Sequence, residues 1–145
     1  MIETSKGPAR FLEYPAKRAR VTLVLGHGAG GGGIAPDLAA IAEHLPGHGV
    51  SVLLHEQPWK VAGKKVAAAP PVLDVAWIES LATLTPRGRL IVGGRSAGAR
   101  VACRTATEVG ASAVLALAFP LHPPGKPEKT RVDELAVDVP LRIVQ

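Results

Sequence analysis

Apolar residues in this chain fall into two patterns that alternate along its length. Continuous apolar runs occur at Arg20–Leu25, Val50–Leu54, Leu90–Val92, Ala113–Ala118 and Pro140–Val144, and they predict buried strands. Between them lie stripes at helical spacing. Leu38, Ile41, Ala42 and Leu45 recur at intervals of three and four, so a helix is expected from Pro36 to about Leu45. Pro36-Asp37 opens it and Pro46-Gly47-His48-Gly49 stops it. Leu73–Leu81 predicts a second helix, and the segment after Ser96 a third that reaches about Val109. Residues 1–19 are polar and broken by prolines, with at most a short edge strand around Ala9–Tyr14. Val132–Ala136 reads as a helical turn, and no internal repeat is visible.

Strands that are apolar throughout are covered on both faces, which requires helices on each side of a parallel sheet. The expected fold is therefore α/β, a three-layer α/β/α sandwich on a mainly parallel sheet with about five strands. Residues 1–145 form one domain of that kind. With right-handed crossovers and the Arg20–Leu25 strand in the centre, chain direction reverses beside that strand. A ligand crevice then lies at the C-terminal ends of the first and third strong strands. Those ends are the loop Gly26-His27-Gly28-Ala29-Gly30-Gly31-Gly32-Gly33 and the stretch Gly93-Gly94-Arg95-Ser96-Ala97-Gly98.

Gly94-Arg95-Ser96-Ala97-Gly98 is G-x-S-x-G between a strand and a helix. A serine held on a tight turn with Oγ exposed leaves no room for side chains two residues to either side, so both flanking positions must be glycine. The following helix points free N–H groups at whatever the serine attacks. One reading is acyl transfer. Ser96 is the nucleophile, and the backbone N–H groups of Ala97 and of Ala29, between Gly28 and Gly30, stabilise the oxyanion. A second reading is dinucleotide binding, since Gly26–Gly31 matches G-x-G-x-x-G and Glu56 ends the next strand where a ribose-binding acid belongs. That reading leaves the Ser96 turn unexplained. A phosphate-binding P-loop is excluded, because no Gly-Lys-Ser/Thr follows the glycines.

His27-Gly28-Ala29-Gly30-Gly31, Glu56-Gln57-Pro58-Trp59, Gly93–Arg100 and Phe119–Pro127 occur in an order that resembles the α/β-hydrolase superfamily. More narrowly, they resemble its dienelactone-hydrolase-like branch, which includes the testis-expressed protein thirty and a regulatory subunit of the NSL chromatin complex. The resemblance runs from about Val21 to the C-terminus and implies a serine hydrolase fold with Ser96 as nucleophile. In such hydrolases the triad acid and histidine follow the serine along the chain. Here Leu141–Val144 is the strand that should precede the acid, and Gln145 ends the sequence. The expectation is thus a C-terminally truncated domain in which neither position is present. Among the residues at hand, His122 follows the strand beside Ser96 and is the candidate base. His27 is expected to fix backbone shape, His44 and His48 to be solvated, and His55 to lie near the crevice on the far side from the usual histidine. Asp133 and Asp138 fall in an expected surface segment. A hydrolase-fold module that binds a partner without catalysis is the competing class.

Composition narrows these readings. Apolar residues make up 47% of the 145-residue chain but aromatics only 3%, so the core is built from Val, Leu, Ile and Ala. Lys and Arg outnumber Asp and Glu by 17 to 12, yet the basic residues are scattered and no nucleic-acid motif is present. Arg95 and Arg100 flank the turn. They are expected to be solvated or paired with Glu108 or Glu79, with recognition of a substrate carboxylate as the functional alternative. Trp59 reads as a packing anchor or as a wall of the acyl pocket. Gly28, Gly30, Arg95 and Trp59 form the expected substrate-binding set around a small acyl compound. The single Cys103 indicates no disulfide and is expected to be buried. No signal-peptide h-region or membrane-spanning run occurs, which points to a cytoplasmic protein. No metal-ligand spacing is present, so neither metal nor cofactor is expected.

Overall fold

The computed structural model of the chain describes residues 1–30 and 32–145. Its centre is a sheet of seven strands: β1 (Ile2–Thr4), β2 (Gly7–Tyr14), β3 (Val21–Gly26), β4 (Val50–Glu56), β5 (Arg89–Arg95), β6 (Ala113–Leu117) and β7 (Leu141–Val144). Their spatial order is β1-β2-β4-β3-β5-β6-β7. From β4 to β7 every pairing is parallel, with Gly26 opposite both His55 and Gly94, and Arg95 opposite Leu117. β3 lies between β4 and β5, so the chain reverses its direction of winding there, and the β3 and β5 ends share one rim.

Helices cover both faces. On one, α3 (Pro70–Leu81) and α4 (Ala97–Thr105) pack Trp77, Leu81 and Val101 onto Val24, Leu53 and Val92. On the other, α1 (Pro36–His44) packs Leu38 and Ala42 onto Leu23, Leu25, Val52 and Leu54. Val24, Leu25, Val52 and Val92 are fully buried, which is why these strands are apolar at successive positions rather than alternately. A short helix, α2 (Pro58–Val61), follows β4. Pro70 starts α3 three residues before the apolar stripe, in the first-turn position where a missing N–H costs nothing. α1 gives way to a 3-10 turn over Leu45–His48, and α4 ends at Thr105 rather than Val109.

The sheet exceeds the expected five strands at its N-terminal end. β1 and β2 form an antiparallel hairpin, and β2 pairs antiparallel with β4, so Ala9–Tyr14 belongs to an interior strand and not to an edge. The turn between them places Gly7 at φ 109° and is closed by Thr4 Oγ1 donating to the Gly7 carbonyl at 2.6 Å. Ser5 anchors the turn to α3 by donating from its N–H and Oγ to the Glu79 carboxylate at 2.6 and 2.7 Å. β2 escapes an apolar-run reading because it is half exposed: Pro8, Arg10 and Glu13 face solvent while Ala9 is buried. Among the described residues no helix is long and apolar enough to cross a membrane, and no group of three or more His, Cys, Asp or Glu is placed to hold a metal ion.

Candidate active site

Ser96 sits between β5 and α4 with φ 55° and ψ −112°, a backbone conformation that costs about 1–3 kcal/mol for a residue with a side chain. Neighbouring backbone holds it there. The Ser96 N–H donates to the Leu117 carbonyl at 2.9 Å, and its own carbonyl accepts from the Arg100 N–H at 3.2 Å. The glycines around it are required by crowding. A Cβ on Gly94 would lie 2.6 Å from the Gly26 carbonyl oxygen, and one on Gly98 would lie 2.8 Å from that of His27. Both glycines therefore let the turn press against the end of β3. Gly28 completes the approach, since a Cβ there would be 3.4 Å from the Ser96 Cβ.

The two loops meet as expected from the sheet order. Gly28 and Ala29 from the glycine loop, and Ala97 and Gly98 from the first turn of α4, line a cavity of about 10 Å³, with Trp59 and Trp77 beyond them. That is room for roughly one water-sized group. Among the described residues neither the Ala29 nor the Ala97 N–H meets an acceptor, and Ser96 Oγ makes no hydrogen bond. His27 shapes the loop. Its Nδ1–H donates to the Gly28 carbonyl at 2.8 Å, and its Nε2 accepts from the Gln57 N–H at 3.0 Å, while its ring stands edge-on to Trp59. Burial pushes its pKa down, opposed by the Gly28 bond, so the neutral ring that can serve both bonds is favoured.

A model of the alpha/beta hydrolase domain matches residues 19–145. The chain belongs to the alpha/beta hydrolase family. No curated protein sequence matches it significantly. A lidless α/β serine hydrolase from Xanthomonas campestris superimposes with a TM-score of 0.72 at 19% identity, covering 98% of this chain and 67% of that one. An α/β serine hydrolase homologue from Coxiella burnetii gives 0.69 at 14% identity over 99% of this chain and 71% of that one. A dienelactone hydrolase from Anabaena variabilis gives 0.65 at 17% identity over 79% and 59% respectively. The chain thus spans about two thirds, or less, of most of these proteins, and the likeness is one of fold.

Within this hydrolase fold the remaining candidate residues are dispersed. The dinucleotide reading gives way to the hydrolase family match, and the Glu56 carboxylate is held by Arg10 at 2.9 Å; Gly31, part of that motif, lies outside the described residues. Trp59 is buried and lines the cavity, whereas Gly30 is exposed with open space around it. Arg95 does not pair with Glu108 or Glu79. It reaches Asp37 at the start of α1, 2.9 Å away on the surface. Arg100 instead donates twice to Glu134, at 2.8 and 3.1 Å, since Glu79 is engaged by Ser5. Glu134 also accepts from Arg104, which forks onto Asp74, so one network ties α3 and α4 to the 3-10 turn Val132–Leu135. Sequence reading missed this network because its members are far apart along the chain.

The histidines sort by position. His44 ends α1 and His48 ends the 3-10 turn after it; both are exposed, at the opposite end of the sheet from Ser96. His55 is 1% exposed, bonded through Nε2 to Ser80 Oγ at 2.9 Å and packed between Phe11 and Trp77. Burial pushes its pKa down to about 3. His122 is exposed in the proline-rich loop, where its Nδ1–H donates to the Lys129 carbonyl at 2.5 Å. In the neutral ring that bond selects the tautomer whose Nε2 carries the lone pair. The loop itself is tied down by the Arg131 N–H on the Leu121 carbonyl and the Arg131 guanidinium on the Pro120 carbonyl. The signal for Gln57, another cavity wall, was its place directly after β4 in the Glu-Gln-Pro-Trp stretch.

Proposed function

We propose that this domain is a serine hydrolase of the dienelactone-hydrolase-like kind, acting on a carboxylic ester or related acyl compound through Ser96. The observation that carries the reading is the strained Ser96 turn, whose Oγ makes no hydrogen bond among the described residues, set beside two N–H groups that meet no acceptor among them. Ser96 Oγ attacks the acyl carbon and gives its proton to a base. The negative charge that develops on the acyl oxygen is accepted by the Ala97 and Ala29 N–H groups, each such donor contributing about 3–4 kcal/mol to the transition state. The leaving group departs with a proton, and water then hydrolyses the acyl-serine. His122 is the proposed base, because its Nε2 carries the lone pair while the Lys129 carbonyl fixes the ring. The substrate-binding roles of Gly28, Gly30, Trp59 and Arg95, and a cytoplasmic setting, belong to the same proposal. Hydrolysis of p-nitrophenyl acetate tests it: turnover that Ser96→Ala abolishes and His122→Ala lowers at least a hundredfold supports the mechanism.

A non-catalytic module is the second reading, favoured by one observation. Among the described residues no histidine bonds Ser96 Oγ; His27, His55 and His122 bond to Gly28, Ser80 and Lys129. Ester hydrolysis that stays at the uncatalysed rate in the native chain and in Ser96→Ala alike supports this reading over the first.

A further inference from the structure

A second cavity, of about 160 Å³, lies on the α1 face of the sheet. Leu12 of β2, Leu25 of β3, Leu54 of β4, Leu38 of α1 and Ile34 form its apolar lining. None of Ser96, Ala97 and Ala29 lines it; His27 lines both cavities. An enclosed apolar space of about 150 Å³ accommodates a benzene-sized body. This space has a similar volume but is partly open to solvent, and two charged residues, Glu56 and Lys60, are among those that line it.

Their states differ. Glu56 is neutralised by Arg10 at 2.9 Å, whereas the Lys60 ammonium makes no ion pair or hydrogen bond among the described residues. Counting Arg10, Glu56 and Lys60 together leaves one uncompensated positive charge beside an apolar hollow. Lys60 is half-buried on α2, and Pro58 and Trp59, both buried, hold that short helix against the core. The base of the Lys60 side chain is therefore fixed beside the hollow. An apolar body sized to the hollow with one anionic end matches both features, and a neutral hydrocarbon or an amine matches only one.

We propose that this cavity is a binding site for a small monocarboxylate with an apolar body the size of a benzene ring, its carboxylate paired with Lys60. The site is separate from the Ser96 centre and does not rest on the hydrolase reading. Titration of the intact chain with sodium benzoate, followed by amide chemical shifts, tests it against benzamide as the uncharged match in shape. Benzoate is expected to shift His27, Leu38 and Leu54 before Ala97 and Gly98, and to bind about tenfold more tightly than benzamide. Lys60→Gln removes that preference while benzamide binding stays within about twofold. Ser96→Ala leaves benzoate binding unchanged. Equal binding of benzoate and benzamide, shifts centred on Ala97 and Gly98, or no saturable binding overturns the proposal. A chain that binds benzoate in this way but fails to hydrolyse esters would refute the function proposed for Ser96 and leave this site standing.

Discussion

His55 makes the stability of this domain depend on pH, in a direction set by its surroundings. The ring is buried between Phe11 and Trp77, its Nε2 is bonded to Ser80 Oγ, and its Nδ1 has no partner among the described residues. The neutral tautomer with Nε2–H donating to Ser80 leaves only a bare lone pair at Nδ1. Protonation would add an N–H there with nothing to accept it, in a site already unfavourable to charge. The folded-state pKa of about 3 lies far below the ordinary 6.5. Between those values the unfolded chain takes up a proton that the native one refuses, so stability is complete above about pH 6.5 and falls at about 1.4 kcal/mol per pH unit below it. From about pH 7.5 to about pH 4.5 the loss from this one group is roughly 2–3 kcal/mol. His27, also lowered by burial, acts in the same direction, and the carboxylates held low by their partners add losses at lower pH. Urea denaturation across that range should therefore show a steep slope in the native chain. His55→Phe with Ser80→Ala keeps a ring between Phe11 and Trp77 without titrating. Its slope should be shallower by about 1 kcal/mol per unit. An unchanged slope would refute the assignment of a buried neutral imidazole to this position.

Other substitutions separate competing physical effects. Gly98→Ala raises helix propensity by about 1 kcal/mol, yet its Cβ would collide with the Gly26 and His27 carbonyls, so a net loss of roughly 1–3 kcal/mol is expected in thermal unfolding, whereas Gly33→Ala, in open space, should be nearly neutral. Arg104→Ala strips Asp74 of its fork and Glu134 of one of two arginines. A loss of about 1–3 kcal/mol is expected, with a double-mutant cycle against Glu134→Gln giving a coupling above about 0.5 kcal/mol. Burial and the neighbouring Glu134 push the Cys103 thiol up to about 11, against the pull of Arg104. Its reaction with a disulfide reagent near pH 8 should follow the rate at which the chain opens and become rapid only in denaturant.

What was legible in the sequence follows from where each element sits. The middles of β3 to β6 are covered on both faces, so apolar residues follow one another there and the runs stand out. The Ser96 turn was legible for a different reason: Gly94 and Gly98 are fixed by contact with β3 whatever the rest of the chain does. The β1–β2 hairpin was not, because a half-exposed antiparallel pair needs only alternation, and Pro8 and Arg10 obscure it. Partners of the surface arginines were also hidden. Arg95 and Asp37 are 58 residues apart, and the Arg100–Glu134 pair depends on where the turn at Val132–Leu135 docks. Charge alone cannot single out such a partner, since Glu108 and Glu79 offer the same carboxylate nearer along the chain.

The central claim is that Ser96 is an activated nucleophile, and the intact mass of the chain after exposure to a fluorophosphonate reads it directly. The account predicts one covalent adduct that is absent in Ser96→Ala and reduced in His122→Ala. A chain that stays unmodified, or that labels equally well without Ser96, would contradict it.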